Sequence, residues 1–256
     1  MGTQELHILL ADDNAVNRKV LQHMLGRLGH HVSMASTGQE AIDMATSNRY
    51  DLIFMDMMMP VVDGLEATRQ IRASESGKRR TPIIAVTANV ERTDEQACAN
   101  AGMDAFLTKP FTLNQVRHSI DRFSAHQFND SDEGGLNASI LKTFVETMGA
   151  DDVDFAIEVL GDLLTEGNRV RSSIQSALDS NMPVEVARHA HSLKSAAAVV
   201  GAQQLAGICR SMEGAALSGR LDDVRLALSH FDGALNLVRQ DVDAFRAKNA
   251  TTPTGI

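Results

Sequence analysis

The chain predicts an α/β domain with a doubly wound, five-stranded parallel sheet, followed by an all-α helical bundle. Three observations carry that expectation. Short apolar runs alternate with amphipathic segments as far as Phe123, which is a repeated βα rhythm. The stretch 124–135 (SAHQFNDSDEGG) is polar and acidic and ends in Gly-Gly, as a linker does. Beyond it the β-like runs stop, while helical periodicity continues to Lys248 with a single proline, Pro183.

The strands of the first domain are expected at Leu6–Ala11, His31–Ala35, Asp51–Met55, Pro82–Val86 and Asp104–Thr108. They are apolar along their length, so both faces should be buried, which is how a parallel sheet reads. Leu21, Leu25 and Leu28 recur at i, i+4 and i+7 in the first helical segment, and Val116, Ile120 and Phe123 do so in the last. The domain is therefore assigned to residues 1–123. The second domain, 136–248, shows about five helical patterns separated by Gly149, Asn181–Met182, Gly201 and Gly219. Pro183 suits the first turn of a helix, where its missing N–H leaves nothing unpaired. Residues 249–256 (NATTPTGI) are expected to form a disordered tail.

Composition narrows the function. The chain has 256 residues, 43% hydrophobic and 22% charged, which suits two soluble domains. Aromatic residues are 4% with no Trp, so stacking platforms for single-stranded nucleic acid are nearly excluded. Net charge is -9, divided as -2 over residues 1–125 and -7 over 126–256, and the second half would repel a phosphate backbone. No nucleic-acid partner is expected. Cys98 and Cys209 share no metal-ligand spacing, which fits a reducing compartment. Without a basic leader or an apolar stretch of ~18 residues, a cytoplasmic location and no membrane contact by this chain are expected.

The chemistry lies at the strand ends, because open parallel sheets bind ligands beyond their carboxyl termini. The first strand runs into Asp12-Asp13, the third into Asp56, the fourth into Thr87, and the fifth into Lys109 before Pro110. Taken singly, each has a bland explanation: Asn14 is a good helix cap, and Lys109 an ordinary surface charge. Together they are improbable by chance. Three converging carboxylates repel unless a hard cation lies between them, with Mg²⁺ the obvious candidate, and a nearby ammonium suits a phosphoryl oxygen.

These residues resemble the receiver domain of two-component response regulators. The match covers residues 6–123 through Asp12-Asp13, Asp56 followed by Met-Met-Met-Pro60 and Asp63-Gly64, Thr87-Ala88, and Lys109-Pro110. The resemblance implies a flavodoxin-like fold with Asp56 as phosphoacceptor from a phosphohistidine. It also implies Mg²⁺ held by Asp13, Asp56 and the Met58 carbonyl, with Asp12 acting through water. Lys109 would pair with the acyl phosphate after a cis peptide to Pro110. Thr87 and Phe106 would be switch residues, Phe106 standing where many members carry Tyr, and Met58 and Asn89 occupy positions that tune hydrolysis.

In the second domain, Val186, Ala190, Leu193, Ala197 and Val200 form one apolar helical stripe. His191 lies roughly 140° away from it with Arg188, Lys194, Ser195 and Ala198 around it. His191 is thus expected to face solvent, and His189, about 60° from the stripe, to be structural. An imidazole among cations and small side chains is suited to attack an anionic phosphoryl donor. The string His189-Ala-His191-Ser-Leu-Lys194-Ser195, with its continuation to Glu213, resembles the histidine phosphotransfer (HPt) domain, a four-helix bundle. That resemblance covers about 136–247 and implies that His191 is a phosphoacceptor and that Lys194 steadies the phosphoryl group. Ser195 stands where Gly is usual.

The two resemblances imply a phosphorelay protein. Asp56 would take a phosphoryl group from a sensor histidine kinase, and His191 would exchange one with an aspartate of a downstream or internal receiver domain. No Gly-rich ATP-binding segment is recognisable, so kinase activity is not expected. Competing readings are the C-terminal portion of a hybrid sensor kinase, a docking adaptor, and a Mg²⁺-dependent phosphatase. The last lacks the second acid two residues after its nucleophile, where Met58 stands.

Overall fold

The structure, a computed structural model, describes residues 5–75, 80–87, 92–123, 144 and 153–249. The chain divides into two compact units, Met1–Gly134 and Gly135–Ile256. The segment 124–135 read as a linker lies outside the described residues, as do Ala88 and Asn89.

In the first unit, strands β1 (His7–Ala11), β2 (His31–Ala35), β3 (Leu52–Asp56), β4 (Ile83–Thr87) and β5 (Ala105–Thr108) alternate with five helices. These are α1 (Ala15–Arg27), α2 (Gly38–Ser47), α3 (Gly64–Ser74), α4 (Arg92–Ala101) and α5 (Leu113–Asp121). The sheet is parallel throughout, in the order β2-β1-β3-β4-β5. The expected strands lie within a residue or so of these positions. One shift matters: β3 ends on Asp56, which pairs in register with Val86 and is held by the ladder itself. The expectation that every strand is buried on both faces holds for β3, buried at all five positions, and fails for β2 and β5. Those two are the sheet edges, where one flank meets solvent.

Local chemistry starts each helix. Asn14 caps α1, its side chain accepting from the N–H groups of Val16 and Asn17, and Thr37 and Asp63 cap α2 and α3 in the same way. Thr112 and Gln115 form a reciprocal capping box on α5. Because β1 lies between β2 and β3, the chain crosses from β1 to β2 on one side and then back over β1 to β3 on the other. The carboxyl ends of β1 and β3 therefore flank the switch-point crevice where such sheets bind ligands.

In the second unit the described residues form helices α6 (Val153–Asp179), α7 (Pro183–Val199), α8 (Gln203–Leu217) and α9 (Leu221–Asn249). Each packs on the next and α9 returns to α6, which closes a four-helix bundle. Apart from Phe144, which is buried, the pattern expected before Gly149 lies outside the described residues. The short connections turn through left-handed backbone at Asn181, Gly201 and Gly219, three of the expected separators. Pro183 opens α7, and the stripe Val186, Ala190, Leu193, Ala197 and Val200 is fully buried. Leu163, Ile174, Cys209, Met212, Phe231 and Leu235 of the other helices are buried as well. Helix α9 runs one residue into the segment read as a tail, and 250–256 lie outside the described residues.

Candidate functional site

The switch-point crevice gathers the charged strand ends. Asp12 follows β1 and is 2% exposed, Asp56 ends β3 at 5%, and Lys109 follows β5 at 4%. The Lys109 Nζ donates to Asp12 Oδ2 at 2.8 Å and to Asp56 Oδ2 at 3.0 Å. Asp13, half-buried, completes a group in which one carboxylate oxygen from each of Asp12, Asp13 and Asp56 lies within 4.8 Å of the others. The peptide between Lys109 and Pro110 is cis, as expected.

Burial dominates the electrostatics. It pushes the Asp12 carboxyl up to about 7, the Asp56 charge adds to the rise, and Lys109 opposes it. For Lys109, burial acts downward, and the two carboxylates overcome it, holding the ammonium well above the usual lysine range. Three acids and one ammonium leave an excess of negative charge in a buried crevice. All-oxygen donors so close together suit a small hard cation, and Mg²⁺ fits this donor set.

The remaining expected residues surround this group. Thr87 ends β4 at the same pole of the sheet, and its carbonyl accepts from the Lys109 N–H at 2.7 Å. Met58 is exposed, with its N–H donating to Asp56 Oδ1 at 3.3 Å. Phe106 in β5 is 47% exposed, so its ring lies outside the core. Gly64 is required where α3 begins, because a Cβ there would overlap the Asp56 carbonyl oxygen.

Two side chains of this site were not picked out from the sequence. The Asn17 Nδ2, in the first turn of α1, lies 3.2 and 3.1 Å from the two carboxylate oxygens of Asp12. Arg18 donates to the Asp12 main-chain oxygen at 2.6 Å. A buried asparagine among Val16, Val20 and Leu21 was the available signal.

On the bundle, His191 is half-buried rather than fully solvent-facing, with 19% of its side chain exposed. Glu213 of α8 reaches across to it: Glu213 Oε1 lies 2.7 Å from His191 Nδ1, and Lys194 donates to Glu213 Oε2 at 2.6 Å. Lys194 Nζ is also 3.3 Å from Nδ1. Burial raises the Glu213 carboxyl pKa, and the hydrogen bonds from His191 and Lys194 outweigh that and hold it below the usual range. The surroundings of His191 are thus acidic as well as basic, which the spacing along α7 alone could not reveal. Arg188 turns to Glu185 instead, and His189 is half-buried with its pKa lowered by desolvation. Ser195, expected beside His191, is 3% exposed, because α8 packs over that side of α7.

Residues 8–121 match the response regulator receiver domain, and residues 158–248 match the Hpt domain. The chain therefore carries a receiver domain followed by an Hpt domain. Among its relatives is the aerobic respiration control sensor protein ArcB of Escherichia coli, 28% identical over 88% of this chain and 30% of that protein. Another is the sensor histidine kinase GacS of Pseudomonas protegens, 28% identical over 83% of this chain and 24% of that protein. The chain spans less than a third of the length of either. A crystal structure of the receiver domain of sensor histidine kinase PA1611 from Pseudomonas aeruginosa, with a magnesium ion in its active site cleft, is 44% identical. It covers 46% of this chain and 97% of that one, with a TM-score of 0.44. Among the described residues no helix is long and apolar enough to cross a membrane.

Proposed function

We propose that the chain is a phosphorelay intermediate with two phosphoacceptors, Asp56 on the receiver domain and His191 on the Hpt domain. The observation that carries this reading is the convergence of Asp12, Asp13 and Asp56 at the switch point, with Asp12 and Asp56 held by one buried ammonium. A carboxylate oxygen of Asp56 attacks phosphorus in a donor phosphohistidine. The new P–O bond forms as the P–N bond breaks, and the imidazole leaves with a proton from solvent. In the bundle step an imidazole nitrogen of His191 attacks a receiver acyl phosphate, forming P–N while the aspartate leaves as carboxylate.

Such transfers need positioning and charge neutralisation more than covalent help. Mg²⁺ would be held by Asp13, Asp56 and the Met58 carbonyl, with Asp12 acting through water, and when bound it neutralises phosphoryl oxygens. In this reading Lys109 moves from carboxylate to phosphoryl oxygen, Thr87 approaches the same group, and Phe106 turns inward as the switch. Lys194 offers the corresponding cation at His191. The partners are a sensor histidine kinase and a receiver aspartate. Two buried thiols without a disulfide suit the reducing cytoplasm.

Incubation with a phosphorylated sensor kinase and Mg²⁺ is expected to label the receiver domain through an acid-stable, base-labile bond. The label disappears in Asp56→Asn; persistence there overturns the assignment. Label on the bundle, acid-labile, disappears in His191→Gln, and survival of it overturns the second. Similarity to ArcB and GacS across both domains favours a second reading, in which these modules are the C-terminal portion of a hybrid sensor kinase. The size of the polypeptide detected in cells by an antibody to the bundle distinguishes the two.

A further inference from the structure

We infer that Asn17 is a positioning residue of the cation site, fixing the Asp12 carboxylate so that it serves the ion from the second layer. The inference rests on the reading of Asp12, Asp13 and Asp56 as that site. A carboxylate offers about four lone-pair positions. On Asp12, Oδ1 accepts from the Asn14 N–H at 2.8 Å and from Asn17 Nδ2 at 3.2 Å. Oδ2 accepts from Asn17 Nδ2 at 3.1 Å and from Lys109 Nζ at 2.8 Å. These four contacts engage both oxygens of Asp12, an arrangement that suits an acid meeting the ion through water, with Asp13 and Asp56 as the direct ligands of the proposed site.

Of the partners Asn14, Asn17 and Lys109, only Asn17 contacts both oxygens, so it sets the rotation of the carboxylate plane. It is 2% exposed, in the first turn of α1, with its backbone N–H donating to the capping oxygen of Asn14 at 3.2 Å. The cap that starts the helix and the amide that orients the acid are therefore one construction. Outer-layer partners of this kind hold ligands in place, and their loss commonly weakens metal binding by about 10–100-fold.

The test is a Mg²⁺ titration of the full chain, followed by backbone amide shifts around Met57–Met59 and by the Mg²⁺-dependent rise in melting temperature. Neither readout needs phosphotransfer. Asn17→Leu keeps the volume and removes the donor, and Mg²⁺ affinity is expected to fall about tenfold or more. Asn17→Asp, which turns an acceptor toward Asp12, should lose more. Val20→Ala, elsewhere on the buried face of α1, should lower the melting temperature and leave affinity within about twofold. Affinity unchanged or tighter in Asn17→Leu overturns the inference. If Asn17→Leu does not fold, Asn17→Ser, with a shorter donor, carries the same expectation of weaker binding and the same overturning result. Absence of Mg²⁺ binding by the unaltered chain, or binding that survives Asp13→Asn, sinks the site itself and is distinguishable from failure of this step.

Discussion

Gly64 shows how a single missing atom places Asp56. A Cβ at this position would overlap the carbonyl oxygen of Asp56, and the Gly64 N–H donates to the Met57 carbonyl at 3.0 Å. Gly64→Ala must push α3 away from the end of β3, an overpacking expected to cost about 1–3 kcal/mol. Urea unfolding of the receiver domain measures the loss, and the rate at which Asp56 is phosphorylated should fall with it. The strand-end acids and Lys109 were legible in the sequence because a strand's last residue is fixed by where its apolar run stops. Asn17 was not, since a buried asparagine on a helix face looks like any imperfect core position until Asp12 is seen above it. The full exposure expected of His191 fails for a related reason: an angle on one helix does not say which neighbour covers it, and Glu213 of α8 does so here.

Between elements, the informative contact is Glu213 of α8 on His191 and Lys194 of α7. Glu213 lies 22 positions from His191 and 19 from Lys194, so only the packing of one helix on another joins them, and no local periodicity could have indicated it. The pairing predicts a pH dependence with a definite sign. Because hydrogen bonds hold the Glu213 carboxyl below its ordinary value of 4.5, its contribution to stability is present above that pH. That contribution is lost as the pH falls through the lowered value. Thermal melting of the bundle from pH 7 down to pH 3 should therefore show a destabilisation that Glu213→Gln largely removes. An identical pH profile in the variant would place the acid sensitivity elsewhere. By contrast, the exposed Arg171–Asp232 pair between α6 and α9, for all its two-bond geometry, should matter little. Asp232→Asn is expected to change bundle stability by less than about 1 kcal/mol in chemical denaturation.

At the scale of the whole molecule, the division into two units has a thermodynamic consequence that the two cysteines can report. Cys98, on α4, is buried in the receiver core, with its Sγ 3.5 Å from the Met57 sulfur. Cys209, on α8, is fully buried in the bundle, and that burial, reinforced by Glu213, pushes its thiol up to about 12. Since thiolate is the reactive form, Cys209 should not react with a disulfide reagent near neutral pH while the bundle is closed. Reaction at either residue then requires its own core to open, and each rate follows the population of the open form. A cation at Asp12, Asp13 and Asp56 would bind only the closed receiver domain, where the three carboxylates are brought together. At a Mg²⁺ concentration ten times its dissociation constant, the open population of that domain falls about elevenfold. Mass-spectrometric labelling of the intact chain should accordingly show Mg²⁺ slowing modification of Cys98 by about that factor while the rate at Cys209 stays the same. Equal protection of both would mean that the units unfold as one, and protection of neither would mean that the acidic crevice does not hold the ion.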